Sequence, residues 1–158
     1  MKRFRLTLIL LTACSVVIGS APATAQRGAT HQELARARSA TAEYHNVERA
    51  LADGYVNTGF YEPGEGLHFV NPALIDAIFE IERPEVLLYV PNPGGQLRLV
   101  AVEYIVPLGL SERAPDGFTG DLDVWREDRE EFGLWELTAW LWLHNPLGMF
   151  NFINSRVP

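Results

Sequence analysis

Val86-Leu87-Leu88-Tyr89-Val90, Pro91-Asn92-Pro93-Gly94-Gly95 and Leu97-Arg98-Leu99-Val100-Ala101-Val102-Glu103-Tyr104-Ile105-Val106 together decide the fold. The outer two parts are aliphatic and β-branched, and the middle part is made of residues that turn a chain. Two such runs around a Pro/Gly turn predict a β-hairpin. The second run is apolar on both faces, which places it inside a sheet or barrel and not at an edge. A lone hairpin is not stable in water, so other strands must pair with it. Leu67–Val70 upstream can supply one. Leu134–Leu143 downstream, Leu-Trp-Glu-Leu-Thr-Ala-Trp-Leu-Trp-Leu, has the aromatic and aliphatic density of a buried strand.

Working outward, Tyr55 to Gly66 holds Gly59, Pro63, Gly64 and Gly66 and reads as a loop. Before it, Thr30-His31-Gln32-Glu33 fits a capping box, no Gly or Pro follows until Gly54, and the segment to Asp53 predicts a helix of about six turns. Ala37, Ala40, Tyr44, Val47 and Leu51 form its apolar stripe. Asn71-Pro72 has the form of an N-cap followed by Pro at N1, opening a short helix over Ala73–Phe79 that Pro84 ends. Leu108 to Asp121 reads as an exposed loop. Asp121 to Glu131 is an acid-rich run that reads as a solvated face, and it lacks the glycine and ligand order of a calcium loop. The expected fold is α+β. A long N-terminal helix packs on a curved antiparallel sheet from residues near 67–70, 86–90, 97–106 and 134–143, with closure into a small barrel as the variant.

The chain has 158 residues, 47% hydrophobic and 21% charged, with a net charge of −7. Its first 25 residues form a separate unit. Lys2, Arg3 and Arg5 precede an apolar stretch from Leu6 to Gly19, and Ala23-Thr24-Ala25 has the A-x-A form of a cleavage site. That is the layout of a secretory signal, so residues 1–25 are expected to be removed and 26–158 to form a single exported domain. The apolar stretch is short for a membrane span, which needs roughly 20 residues. Taking the three leader charges from 13 basic residues leaves ten arginines against 20 acids, a formal −10. No lysine remains, and the arginines are dispersed. Nucleic acid and anionic membranes are therefore poor partners, while cationic ligands and metals are favoured. Cys14, the one cysteine, lies within the leader, so the exported form has no disulfide. Leu11-Thr12-Ala13-Cys14 also resembles a lipobox, which gives lipid anchoring as the alternative to soluble export.

No Gly-x-Ser-x-Gly elbow, His-Glu-x-x-His, Walker loop or dinucleotide fingerprint occurs. What remains is polar residues set among apolar ones. Strand periodicity puts Glu103 on one face with Leu97, Leu99, Ala101 and Ile105. A carboxylate there costs several kcal/mol unless it finds a partner: an arginine, a histidine, a metal or a proton. His68 follows two glycines in Gly64-Glu65-Gly66-Leu67-His68, where the backbone can bend or approach a ligand closely. In the tryptophan strand the same periodicity aligns Glu136, Thr138, Trp140, Trp142 and His144. His45 lies on the helix. The candidate ligand-binding residues are thus Glu103, His68, His144, Trp140, Trp142 and Thr138. His68, Glu103, His144 and His45 are a candidate set for a divalent metal, although none of their spacings is local.

Tyr44-His45-Asn46-Val47, Gly66-Leu67-His68-Phe69-Val70-Asn71-Pro72, Leu97–Tyr104 and Trp140-Leu141-Trp142 through Asn145-Pro146-Leu147-Gly148-Met149-Phe150 resemble a family of small, uncharacterised exported bacterial proteins. The resemblance covers nearly all of residues 26–158 and implies export and a shared fold. It also implies a histidine two residues before the first Trp of Trp-x-Trp. This chain has Thr138 there, which implies a weakened metal or acid–base site. Three functions are expected in turn. The first is an exported module that binds a small ligand or divalent metal in an aromatic-lined pocket. The second is a hydrolase or lyase using the same groups. The third is an envelope-associated domain that oligomerises through its Trp and Phe surfaces.

Overall fold

The computed structural model describes residues 23–158. The expected leader up to residue 22, including Cys14, lies outside the described residues, and Ala23-Thr24-Ala25 opens the first helix. The chain runs α1 (Ala23–Thr41), α2 (Val47–Ala52), β1 (Val56–Glu62), β2 (Gly66–Val70), β3 (Val86–Pro91), β4 (Leu97–Pro107), β5 (Arg126–Asp128) and β6 (Leu134–Ala139). The six strands form one antiparallel sheet in the order β1-β2-β3-β4-β6-β5. The fold is therefore mixed α and β, but two features differ from expectation. The sheet is open, with β1 and β5 at its edges, and no barrel closes among the described residues.

The single long helix is also broken. A 3₁₀ turn, Ala42–His45, follows α1, and Asn46 then starts α2 anew by accepting the Glu48 N–H on its side chain. Two local bonds favour this break. Thr41 donates its hydroxyl back to the Ala37 carbonyl, a bond that tends to bend helices, and Asn46 is a strong N-cap. The break re-phases the apolar stripe. Leu34, Ala37 and Thr41 face inward from α1, Ala50 faces inward from α2, and Leu51 turns outward. Thr30 and Glu33 form no capping box, because α1 starts upstream of them. They hold the loop at Thr119 instead: the Thr30 hydroxyl donates to the Thr119 carbonyl, and Glu33 accepts from the Thr119 N–H and hydroxyl at 2.7 Å each.

The expected hairpin is β3–β4, and β4 is the interior strand, paired to β3 on one side and β6 on the other. From Leu99 to Val106 every residue of it is buried. Each such aliphatic side chain removed from water contributes about 1.5–3 kcal/mol. Two apolar layers result. The helix side holds Leu34, Ala37, Phe69, Leu87, Tyr89, Leu99, Val102, Tyr104 and Leu137. The other side holds Val86, Leu88, Val100, Ala101, Ile105, Trp140 and Val157.

A β-bulge decides which side chain goes where. Leu88 pairs with Ala101, but its neighbour Tyr89 pairs with Leu99, so Val100 is the extra residue. Val100 and Ala101, consecutive in sequence, pack on the same side. Leu97 and Leu99 therefore belong to the helix side, not to the face of Glu103 that strict alternation predicts. Glu103 shares its face with Val100, Ala101 and Ile105. The bulge also ends β6. The last β4–β6 pair is Val102 with Ala139, and the Val100 carbonyl then accepts the N–H of both Trp142 and Leu143. The expected strand to Leu143 stops at Ala139 for this reason.

Two strands arise where a loop and a solvated run are expected. β1 occupies the Gly/Pro-rich segment and bulges between Asn57 and Tyr61. β5 sits within the acidic run, paired to β6. The expected helix over Ala73–Phe79 shrinks to a 3₁₀ turn, Pro72–Leu74, with Asn71 capping it as expected by accepting the Ala73 N–H. No helix among the described residues is long and apolar enough to cross a membrane.

Candidate functional site

On the sheet face opposite the helices lies a cleft of about 620 Å³. β2, β4 and β6 supply its floor. His68 pairs with Leu88 across β2–β3, Val86 with Glu103 across β3–β4, and Glu103 with Thr138 across β4–β6. Cross-strand partners share a face, so the register alone brings His68, Glu103 and Thr138 to one side.

Glu65 arrives by another route. Glu62-Pro63-Gly64-Glu65 has the Pro–Gly pattern of a type II turn: the Glu65 N–H donates to the Glu62 carbonyl at 3.0 Å and Gly64 has φ +88°. Gly66 follows at φ +106°, and a Cβ there would stand 2.6 Å from the Tyr89 carbonyl oxygen, so only glycine lets the turn lie so close to β3. The turn sets Glu65 three residues before His68 and buries it.

His68 is the centre of the group. Its Nδ1 is 3.1 Å from the Gly66 carbonyl oxygen, which can only accept, so Nδ1 carries a hydrogen. Nε2 is then the nitrogen presented to Glu65 Oε2 at 3.3 Å and Glu103 Oε2 at 3.8 Å. The remaining Glu103 oxygen, Oε1, accepts the Thr138 hydroxyl at 3.2 Å. Burial alone pulls the His68 pKa down. The Glu65 hydrogen bond and the charges of Glu103 and Glu65 outweigh it and leave the imidazole raised above its ordinary value. Burial pushes the Glu103 carboxyl up to about 7. His68 and the Thr138 hydroxyl oppose that rise, while the Glu136 and Glu65 charges add to it. Glu103 can therefore exchange a proton near neutrality, with a raised imidazole beside it.

Arg126 is already committed. Its Nε donates to Glu136 Oε2 at 2.8 Å, Nη2 binds the same oxygen, and its guanidinium lies 3.4 Å from the centre of the Phe152 ring. Burial raises the Glu136 pKa despite this arginine. The walls are apolar. Phe60 tilts over His68 with ring centres 5.1 Å apart and meets Phe132 edge-on at 5.6 Å. Val86, Ile105 and Leu134 complete the lining. A second hollow of about 560 Å³, lined by Thr138, Met149 and Phe150 among others, shares Arg126, Glu136 and Phe152 with the first.

The structure thus brings together three of the expected residues, His68, Glu103 and Thr138. It does not bring the others. Trp140 is buried beneath the cleft face, its indole N–H donating to the Asn151 carbonyl at 2.6 Å. Beyond Ala139 the chain has left the ladder, so Trp142 turns to the helix side and meets His45 edge-on at 4.4 Å. His144 is exposed. Neither His45 nor His144 lines the cleft. Among the described residues, no group of three or more His, Cys, Asp and Glu side chains is arranged to hold a metal ion; Glu65 and Glu103 approach His68 itself.

Sequence reasoning misses Glu65, Arg126 and the phenyl rings, and it aligns Glu136 with Thr138 without carrying it into the candidate set. Glu65 has a signal, its position between two glycines and three residues before His68. Arg126 has none, because a charged run gives no sign of turning one residue inward. Comparison with protein-family models, curated proteins and solved structures finds no match to this chain.

Proposed function

We propose that this chain is an exported domain that binds a small organic ligand in the Glu65–His68–Glu103 cleft. One observation carries the reading. Glu103, buried in the central strand, lines an open hollow and has an imidazole and a hydroxyl for neighbours, with no arginine on its carboxylate among the described residues. A buried carboxylate that serves only stability is better placed against a guanidinium or backbone N–H groups than beside a void. Apolar walls around a few converging polar groups are the usual make-up of a ligand pocket. Export rests on the charged, apolar and small-residue order of residues 1–25.

A mixed small-molecule library, screened by thermal shift against the full chain and a His68→Ala/Glu103→Ala variant, tests the reading. It predicts compounds that raise the Tm of the wild type and not of the variant. A library with no hits, or hits kept by the variant, counts against it.

A second reading has its own observation: an imidazole held between two carboxylates, of which Glu103 is pushed up to about 7, suits acid–base catalysis, with Glu103 as base and His68 as acid. It predicts turnover with a bell-shaped pH profile that Glu103→Gln abolishes. A hydrolase and lyase screen without activity would remove it.

A further inference from the structure

The balance of charge in the cleft, taken with the ligand-binding reading on which this inference rests, narrows the class of ligand. Five carboxylates line the cleft: Glu62, Glu65, Glu103, Glu131 and Glu136. Two cationic side chains face them. Arg126 is spent on Glu136 and on the Phe152 ring. His68 divides one positive charge, at most, between Glu65 and Glu103. Both of those glutamates are buried, where an uncompensated negative charge is costly. The floor of the cleft is therefore short of one positive charge when its carboxylates are ionised.

We propose that the ligand supplies that charge: an organic cation, a protonated amine on an apolar body, with its ammonium against Glu103 and Glu65. An anion would meet five carboxylates. A neutral molecule would leave the deficit in place. A bare metal ion finds no three-ligand group among the described residues and would leave the apolar walls unused. The phenyl rings of Phe60 and Phe132 suit the amine in two ways, since they bury its hydrocarbon and carry the negative ring faces that attract a cation.

The test is calorimetry on the full chain with matched sets of amines, alcohols and carboxylates on the same body, for example benzylamine, benzyl alcohol and benzoate, and with calcium and magnesium chloride. The amines are expected to bind at least about tenfold more tightly than the alcohols, the usual reward of a desolvated charge pair with an aromatic wall, and the carboxylates not at all. Glu103→Gln, which keeps the shape and an acceptor for Thr138, is expected to erase the amine's advantage. Glu65→Gln serves the same purpose should that variant not fold. If alcohols or carboxylates bind as tightly as amines, the charge class is wrong and ligand binding stands. If a divalent metal outcompetes every amine, the occupant is a metal. If no probe of any charge binds, both this inference and the reading beneath it fall.

Discussion

Two buried glutamates, Glu85 and Glu103, stand at the same end of the β3–β4 pairing and do opposite work. Glu85 precedes β3 and lies near Tyr55 and Tyr104. Its carboxylate accepts the Ile105 N–H at 3.1 Å, just past the Val86–Glu103 pair with which β3 begins. It completes the ladder and lines neither hollow. Glu103 lies on the face opposite Tyr104, in a strand whose backbone is already paired on both sides, and its oxygens meet side chains at the floor of a hollow. Burial lifts both, Glu85 to about 8 and Glu103 to about 7. The pKa direction therefore does not separate a structural acid from a site acid. What separates them is the partner: a backbone group for one, an imidazole beside open space for the other.

The sharpest way to break the comparison is substitution. Glu85→Ala is expected to cost about 2 kcal/mol, because it leaves the buried Ile105 N–H without an acceptor. Glu103→Gln is expected to move stability by less than about 1 kcal/mol, since it keeps an acceptor for Thr138 and removes a desolvated charge. Denaturant midpoints of both variants measure the difference, and equal losses would erase the distinction.

The second effect is on pH. Glu85 has an ordinary value of 4.5 and a folded value of about 8. Between these the folded chain keeps a proton that the unfolded chain has released. That contribution is complete below about 4.5 and is lost as pH rises through about 8. Glu103 acts with the same sign, up to about 7. Stability is thus expected to fall from about pH 5 to about pH 8, and Glu85→Gln to flatten most of that slope. Unfolding curves across the range decide the matter; a rise would reverse the assignment.

The smallest effect sharpens the contrast between histidines. His144→Ala is expected to change stability by less than about 0.5 kcal/mol, as an exposed side chain does, and to leave cleft binding intact. His68→Ala should remove binding. A thermal-shift series on the two variants with any cleft ligand reads both.

These residues also show how much is legible before the chain folds. Glu103 stands out because it interrupts an unbroken apolar run, and His68 because glycines precede it. Glu85 does not stand out, because Arg83-Pro84-Glu85 looks like an ordinary polar boundary until the chain comes back along β4. The hairpin is legible since β3 and the interior of β4 are apolar throughout. β1 is not, because an edge strand needs few apolar residues and this one is mostly exposed. β5 is hidden in a run of charge. Extending a period of two past Ala139 places His144 and Trp142 with Glu136. The pairing that sustains that period ends at Val100, on a different strand, where no local pattern marks it.

The extra residue at Val100 has a hereditary consequence. It is the one position within the pairing that no residue of β3 faces, so the ladder can close without it. Loss of its codon would set Ala101 and Leu99 opposite Leu88 and Tyr89 as consecutive pairs, and Leu97, Arg98 and Leu99 would keep the sides they have now. An apolar replacement of Val100 would also leave all three where they are. Descendants of this gene are expected to vary at this point in length as well as in letters, a pattern that a deletion library with a folding reporter would reproduce.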